Sequence, residues 1–154
     1  MARSTNTASG RTRITSQEKD LVTDDGTSLI SVVNGEQLHL QFTLNWMTTT
    51  VGATITAKIV EGDNSVAGTK PTAEAASAAI VSLVVLDADT SDNVIVVVIP
   101  QDLIATWAQA PTPGNPVWGF LGIEIADAQT GSAQQIWKPV RGMVEVLYSP
   151  TEAV

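Results

Sequence analysis

Trp118-Gly-Phe-Leu-Gly-Ile-Glu-Ile-Ala-Asp127 decides the fold. Its side chains alternate, so Leu121, Ile123 and Ile125 share one face of an extended strand while Trp118, Phe120 and Glu124 share the other. A period of two is strand spacing and not helix spacing. The following Asp127-Ala-Gln-Thr-Gly131-Ser predicts a reversal, because Asp127 can bond the backbone ahead of it and Gly131 tolerates positive φ. A returning strand is expected over residues 134–138. Pro139 lacks an amide hydrogen and is expected to interrupt the ladder. Beyond it Val140, Gly142, Val144, Val146 and Tyr148 take one side, and Arg141, Met143, Glu145 and Leu147 the other, until Ser149-Pro150 ends the strand.

The same alternation runs upstream. Leu38, Leu40, Phe42, Leu44 and Trp46 point one way and His39, Gln41, Thr43 and Asn45 the other, which predicts a strand with one buried face. Burying such a face contributes about 1.5–3 kcal/mol per large side chain before entropy is subtracted. Ala53, Ile55, Ala57 and Ile59 alternate with Thr54, Thr56 and Lys58 in the same manner. A shorter strand is expected at residues 29–33, between the turn signals Asp24-Asp25-Gly26 and Asn34-Gly35. Residues 80–86 and 94–99 are nearly continuous β-branched runs, so each is expected to be buried on both faces, or one to lie against a partner. Between them and the earlier strands, residues 61–79 read as a long connection with one helical turn near Ala73, crossing between sheets or serving a contact. Pro100 to Trp107 changes period and predicts a short helix with Leu103, Ile104 and Trp107 on one side. The class is therefore all-β, two layers with one short helix.

Composition agrees with this reading. The 154 residues suit one domain, and the 44% hydrophobic share is rich in Val, Ile, Leu and Ala with Thr and Gly between, a mixture that favours strands. With no cysteine, disulfides, thiolate metal sites and a thiol nucleophile are excluded. The longest apolar run, residues 94–99, is far short of the roughly 20 residues of a membrane helix, and no apolar core follows the first basic residue. Neither a membrane partner nor a secretory signal is expected. Charge is uneven: residues 1–19 hold Arg3, Arg11, Arg13 and Lys19 against Glu18, a net +3 that leaves −11 for residues 20–154 out of the total of −8. We therefore divide the chain into an extended basic N-terminal arm, 1–19, and a β-sandwich domain, 20–154. An acidic body repels nucleic-acid phosphate, whereas the arm suits the acidic flank of a neighbouring subunit.

Candidate chemistry is sparse. His39, the sole histidine, falls on the wet face of its strand with no carboxylate beside it and reads as a surface residue. Asp87, Asp89 and Asp92 cluster in one loop but lack the glycine and terminal glutamate of a helix-loop-helix calcium site, so they read as a solvated turn. Asp24, Asp25, Glu61, Asp63 and Glu74 serve a glycosidase only if a pair such as Asp24 and Glu61 lies within about 10 Å in a cleft. Among the tryptophans, Trp46 and Trp107 read as core, while Trp137 with Lys138 and Arg141 is expected at a partner contact, carbohydrate stacking being the alternative. The expectation is no enzyme, no cofactor and no metal.

Several features fall into one order. A strand opened by Gly35-Glu36 precedes Gly52-Ala-Thr-Ile-Thr, then a Val-rich pair around Asp92-Asn93 and a helix at residues 103–107. A closing hairpin follows with Trp118-Gly-Phe, Gly131 and Gly142-Met-Val-Glu-Val. Over roughly residues 20–148 this order resembles the N-terminal domain of phage baseplate upper proteins. The resemblance implies an immunoglobulin-like antiparallel β-sandwich. It implies a noncatalytic structural subunit of a tailed-phage virion, in the tail, collar or baseplate, whose partners are other virion structural proteins and copies of itself. Arg3, Arg11 and Arg13 are then expected to reach an acidic neighbour. Family members continue into a long stalk and this chain ends at Val154, so a head decoration (cement) protein is a second expectation. A carbohydrate-binding receptor-recognition module is a third.

Overall fold

Each alternating stretch becomes a strand because only pairing satisfies its backbone while its apolar side chains leave water. The computed structural model describes residues 3–6, 11–16, 30–44, 49–86, 91–126 and 136–150. Among them run β1 (Arg3–Asn6), β2 (Arg11–Ser16), β3 (Ile30–Val33), β4 (Leu38–Leu44), β5 (Thr54–Glu61), β6 (Ile80–Leu86), β7 (Val94–Ile99), β8 (Val117–Ala126) and β9 (Ile136–Leu147). Their order is β1-β2-β4-β7-β6-β5-β8-β9-β3. The body, β3 to β9, is a seven-strand mixed sheet rolled nearly into a barrel.

β6 makes the corner. Its first half, Ile80 to Leu83, pairs with β5, and its second half, Val84 to Leu86, pairs with β7. The strand thereby joins a β4-β7 layer to a β5-β8-β9-β3 layer. Two pairs are parallel, β3 with β9 and β2 with β4, which corrects the expectation of an antiparallel sheet throughout. Strands far apart in sequence carry no hairpin constraint on direction, and both parallel pairs join such strands. In the N-terminal segment β1 and β2 form an antiparallel hairpin, and β2 lies along β4 with Arg11 at the level of His39 and Arg13 at the level of Gln41.

The inward faces meet as the alternation requires. Leu40, Phe42 and Leu44 of β4, Ile95, Val97 and Ile99 of β7, and Leu121, Ile123 and Ile125 of β8 are buried together with Ile59, Val144 and Val146. β7 is largely buried on both faces, as its continuous apolar run implied. β6 is not: Ile80 and Val84 are 61% and 60% exposed, because a corner strand has a neighbouring layer on only one side. Gly35, at φ 89°, reverses the chain between β3 and β4. Trp46 lies outside the described residues, as do Asp24, Asp25, Asp87, Asp89 and the 127–135 turn.

Two further expectations need correction. The segment 100–107 is a run of turns rather than a helix, held by bonds from Leu103 N to Pro100 O (3.3 Å), Ala105 N to Asp102 O (3.0 Å) and Trp107 N to Ile104 O (3.0 Å). These span three residues, and the segment is too short to repay helix nucleation. Leu103 and Trp107 nevertheless reach the core on one side. Pro139 does not divide the closing strand. Ile123 faces Val140 while Ile125 faces Trp137, so three steps on β9 answer two on β8, and this bulge absorbs the missing amide.

Candidate functional site

Cross-strand register builds one concave surface on the outer side of β5, β8 and β9. Val60 stands opposite both Ile80 and Phe120, and Phe120 opposite Met143, which makes an apolar row across four strands. The adjacent row is Ser82, Lys58, Gly122 and Arg141. Gly122 carries no side chain, which leaves this face of the sheet low beside Lys58. The resulting groove measures about 530 Å³ and is walled on one side by Thr72, Ala73 and Glu74.

That wall is held by buried polar groups. Glu61, 3% exposed at the end of β5, accepts the Ala79 amide on Oε1 at 3.1 Å and the Ala108 amide on Oε2 at 2.7 Å. Its backbone carbonyl accepts Ala75 N (3.0 Å), and Asp63 N donates to Ala73 O (2.9 Å). Asn64, also buried, receives Trp118 N on Oδ1 and donates through Nδ2 to Trp118 O. β5 and β6 are neighbours, so the 62–79 connection does not cross between layers; it folds back over β8, and no helical turn forms near Ala73.

The chemistry-bearing residues fall as follows. Both Glu61 oxygens are engaged by backbone amides, a structural clamp rather than a free acid. Asp63 is exposed, and bonds from the Ser65 side chain and then its backbone amide hold its carboxyl below the ordinary aspartate range. His39 is half-buried, its Nε2 lying 3.2 Å from Gln37 Nε2. Asp92 receives Val94 N at 3.0 Å, a local turn bond. Among the described residues no three His, Cys, Asp or Glu side chains group as metal ligands. The described residues contain no helix long and apolar enough to cross a membrane. Trp107 and Trp118 are buried, so neither offers an open face for stacking.

Arg3, Arg11 and Arg13 sit on β1 and β2, and Trp137, Lys138 and Arg141 on β9, with β4, β7, β6, β5 and β8 between β2 and β9 in the strand order. Their side chains lie outside the described residues. Sequence reasoning missed Lys58, Phe120 and the 72–74 wall. The available signal was Gly122, a position without a side chain on the outward face of β8.

No protein-family model and no curated protein matches this chain. The class rests on the fold: an all-β protein with a mixed, nearly closed sheet and an apolar groove on its outer surface.

Proposed function

We propose that this chain is a noncatalytic structural subunit of a tailed-phage virion, built as an immunoglobulin-like β-sandwich and placed in the tail, collar or baseplate. The observation that carries this is the connectivity of the body. β4 pairs with β7 while β5 pairs with β8 and β8 with β9, the B-E and C-F-G arrangement of immunoglobulin-like domains. The first body strand, β3, closes against the last, β9. This supports the resemblance to the baseplate upper protein domain drawn from turn placement.

The same layout supports assembly through the arm and the sheet edges. β2 pairs with the outer edge of β4, and it carries Arg11 and Arg13 in a chain whose body is acidic. Partners are then other virion proteins and further copies of the chain, in a homo-oligomeric assembly. The burial of Trp118 counts against a carbohydrate-binding module.

The test is immunogold labelling of particles made by the phage that encodes the chain, with and without deletion of residues 1–13. Label on the tail, collar or baseplate that disappears on deletion, while the truncated domain stays folded, is the expected result. Label on the head assigns a decoration role instead, and unlabelled particles overturn the proposal.

A further inference from the structure

The strand that covers the outer edge of β4 comes from outside the body. Without β1 and β2 the strand order ends at β4 on one side and at β3 on the other. β4 pairs with β7 from Leu38 to Thr43, and its far side would then present a row of unpaired backbone groups, a template for one more strand. β2 takes that place, level with β4 from Arg11 beside His39 to Ser16 beside Leu44. The hairpin it belongs to is polar: of the ten residues in β1 and β2, Ile14 alone is aliphatic, so the hairpin has little apolar area to add to the core. The same register is available on β4 of any copy. Exchange between copies therefore alters the connection and leaves the pairing as it is.

The connection is long enough for this. β2 runs parallel to β4 and so finishes at the end of the sheet where β4 finishes. β3, joined to the start of β4 through the Gly35 turn, begins toward that same end. The thirteen residues 17–29 between Ser16 and Ile30 span at most about 45 Å. A body of this size is about 35 Å across, so the tether reaches beyond its own body to the edge of an adjacent one.

Charge favours this chain's own hairpin as the donor. Residues 1–19 carry a net +3 and residues 20–154 a net −11, so two bodies side by side repel each other. A basic strand laid across their boundary lowers that repulsion, which a neutral or acidic strand from another protein does not.

We infer that β4 is a strand-acceptor edge and that, where copies are concentrated, it takes β2 of a second copy, the β1-β2 hairpin being exchanged between neighbours. This deepens the assembly role proposed for the arm and rests on that role, not on a position in the particle.

The chain has no cysteine, so introduced ones report without background. Thr15 and Thr43 are level partners, and adjacent strands lie about 4.8 Å apart, within the span of a disulfide. Full-length Thr15→Cys and Thr43→Cys are refolded together from urea and oxidised. Thr15→Cys with Ser82→Cys, exposed on β6, is the control for chance collision. At about millimolar chain a heterodimer joined through positions 15 and 43, confirmed by peptide mass, is expected about tenfold above the control. In the double variant Thr15→Cys/Thr43→Cys, linkage should be intrachain when dilute and about half interchain near a millimolar, the effective concentration set by a tether of this length. Arg13→Cys with Gln41→Cys, level two residues earlier, repeats both measurements if a threonine variant folds poorly. Intrachain linkage alone at every concentration, or a heterodimer no more abundant than the control, overturns the inference. Arm-dependent labelling of particles without exchange overturns this inference and leaves the assembly role of the arm standing with a different partner. Exchange with unlabelled particles supports it and removes the virion reading alone.

Discussion

Asn64 meets the backbone of Trp118 twice, accepting its amide at 2.9 Å and donating to its carbonyl at 3.0 Å. A side chain thereby does what a neighbouring strand does elsewhere in the sheet, at a point where β8 begins and β5 has already ended. Gly62 N adds a third bond, 3.0 Å to the same carbonyl. The long 62–79 connection is in this way bound to the sheet, which is what gives the groove a wall.

Asn64→Ala removes both bonds and leaves the Trp118 amide buried without that acceptor. A loss of about 1–3 kcal/mol follows. Urea unfolding should show a lower midpoint at unchanged slope, as for a change confined to the folded state.

Glu61→Ala orphans the Ala79 and Ala108 amides together and is expected to cost about 3 kcal/mol or more, since both bonds go to a carboxylate. Glu61→Gln keeps one acceptor oxygen and should cost less. Hydrogen exchange separates this from a general loosening: the Ala79 and Ala108 amides should speed up more than the β7 amides do.

Gly119→Ala places a Cβ 2.7 Å from Ile59 Cγ2 and 2.7 Å from Trp107 Cη2, inside the core. Overpacking there should destabilise by about 1–3 kcal/mol. Gly122→Ala, three residues along the same strand and facing open space, should stay within about 0.5 kcal/mol. Equal effects of the two in thermal unfolding would contradict the packing described for Trp107.

Asp63 contributes a pH dependence. Its folded pKa is depressed, first by the Ser65 side chain and then by the Ser65 amide. A depressed carboxyl contributes stability above its unfolded value and loses that contribution as pH falls through the folded one. Carboxyl NMR should therefore give a midpoint below the ordinary aspartate range, and Ser65→Ala should move it upward.

Val84→Lys with Leu86→Lys alters the exposed side of β6, where Val84 is 60% and Leu86 40% exposed. Folding stability should change by no more than about 0.5 kcal/mol per site. Self-association at high concentration, followed by light scattering, should fall, because an exposed apolar stripe is a contact surface.

The strands were legible because their signal is local. Leu40, Phe42 and Leu44, or Leu121, Ile123 and Ile125, identify their shared buried face from spacing alone. The helix at Pro100 to Trp107 was misread because capping residues and a one-sided pattern also suit a run of turns, and nothing in the spacing measures length against nucleation. The break at Pro139 was misread for a related reason: a bulge needs a partner strand, and the partner is remote in sequence.

The groove and its supports were less legible still. Lys58, Phe120 and Met143 are distant in the chain and adjoin only through the registers of β5, β8 and β9. Glu61 and Asn64 look like loop polar residues until the amides of Ala79, Ala108 and Trp118 arrive beside them.

What the amino-acid order determined by itself was the class: period-two burial, turn residues, the absence of cysteine and a basic segment before an acidic body. What the tertiary structure decided was the pairing: β6 shared between layers, β3 parallel to β9, and Lys58 set opposite Gly122. The physical reason is range. Side-chain alternation is fixed within a few residues, whereas register is chosen by the collective burial of strands that the sequence leaves far apart.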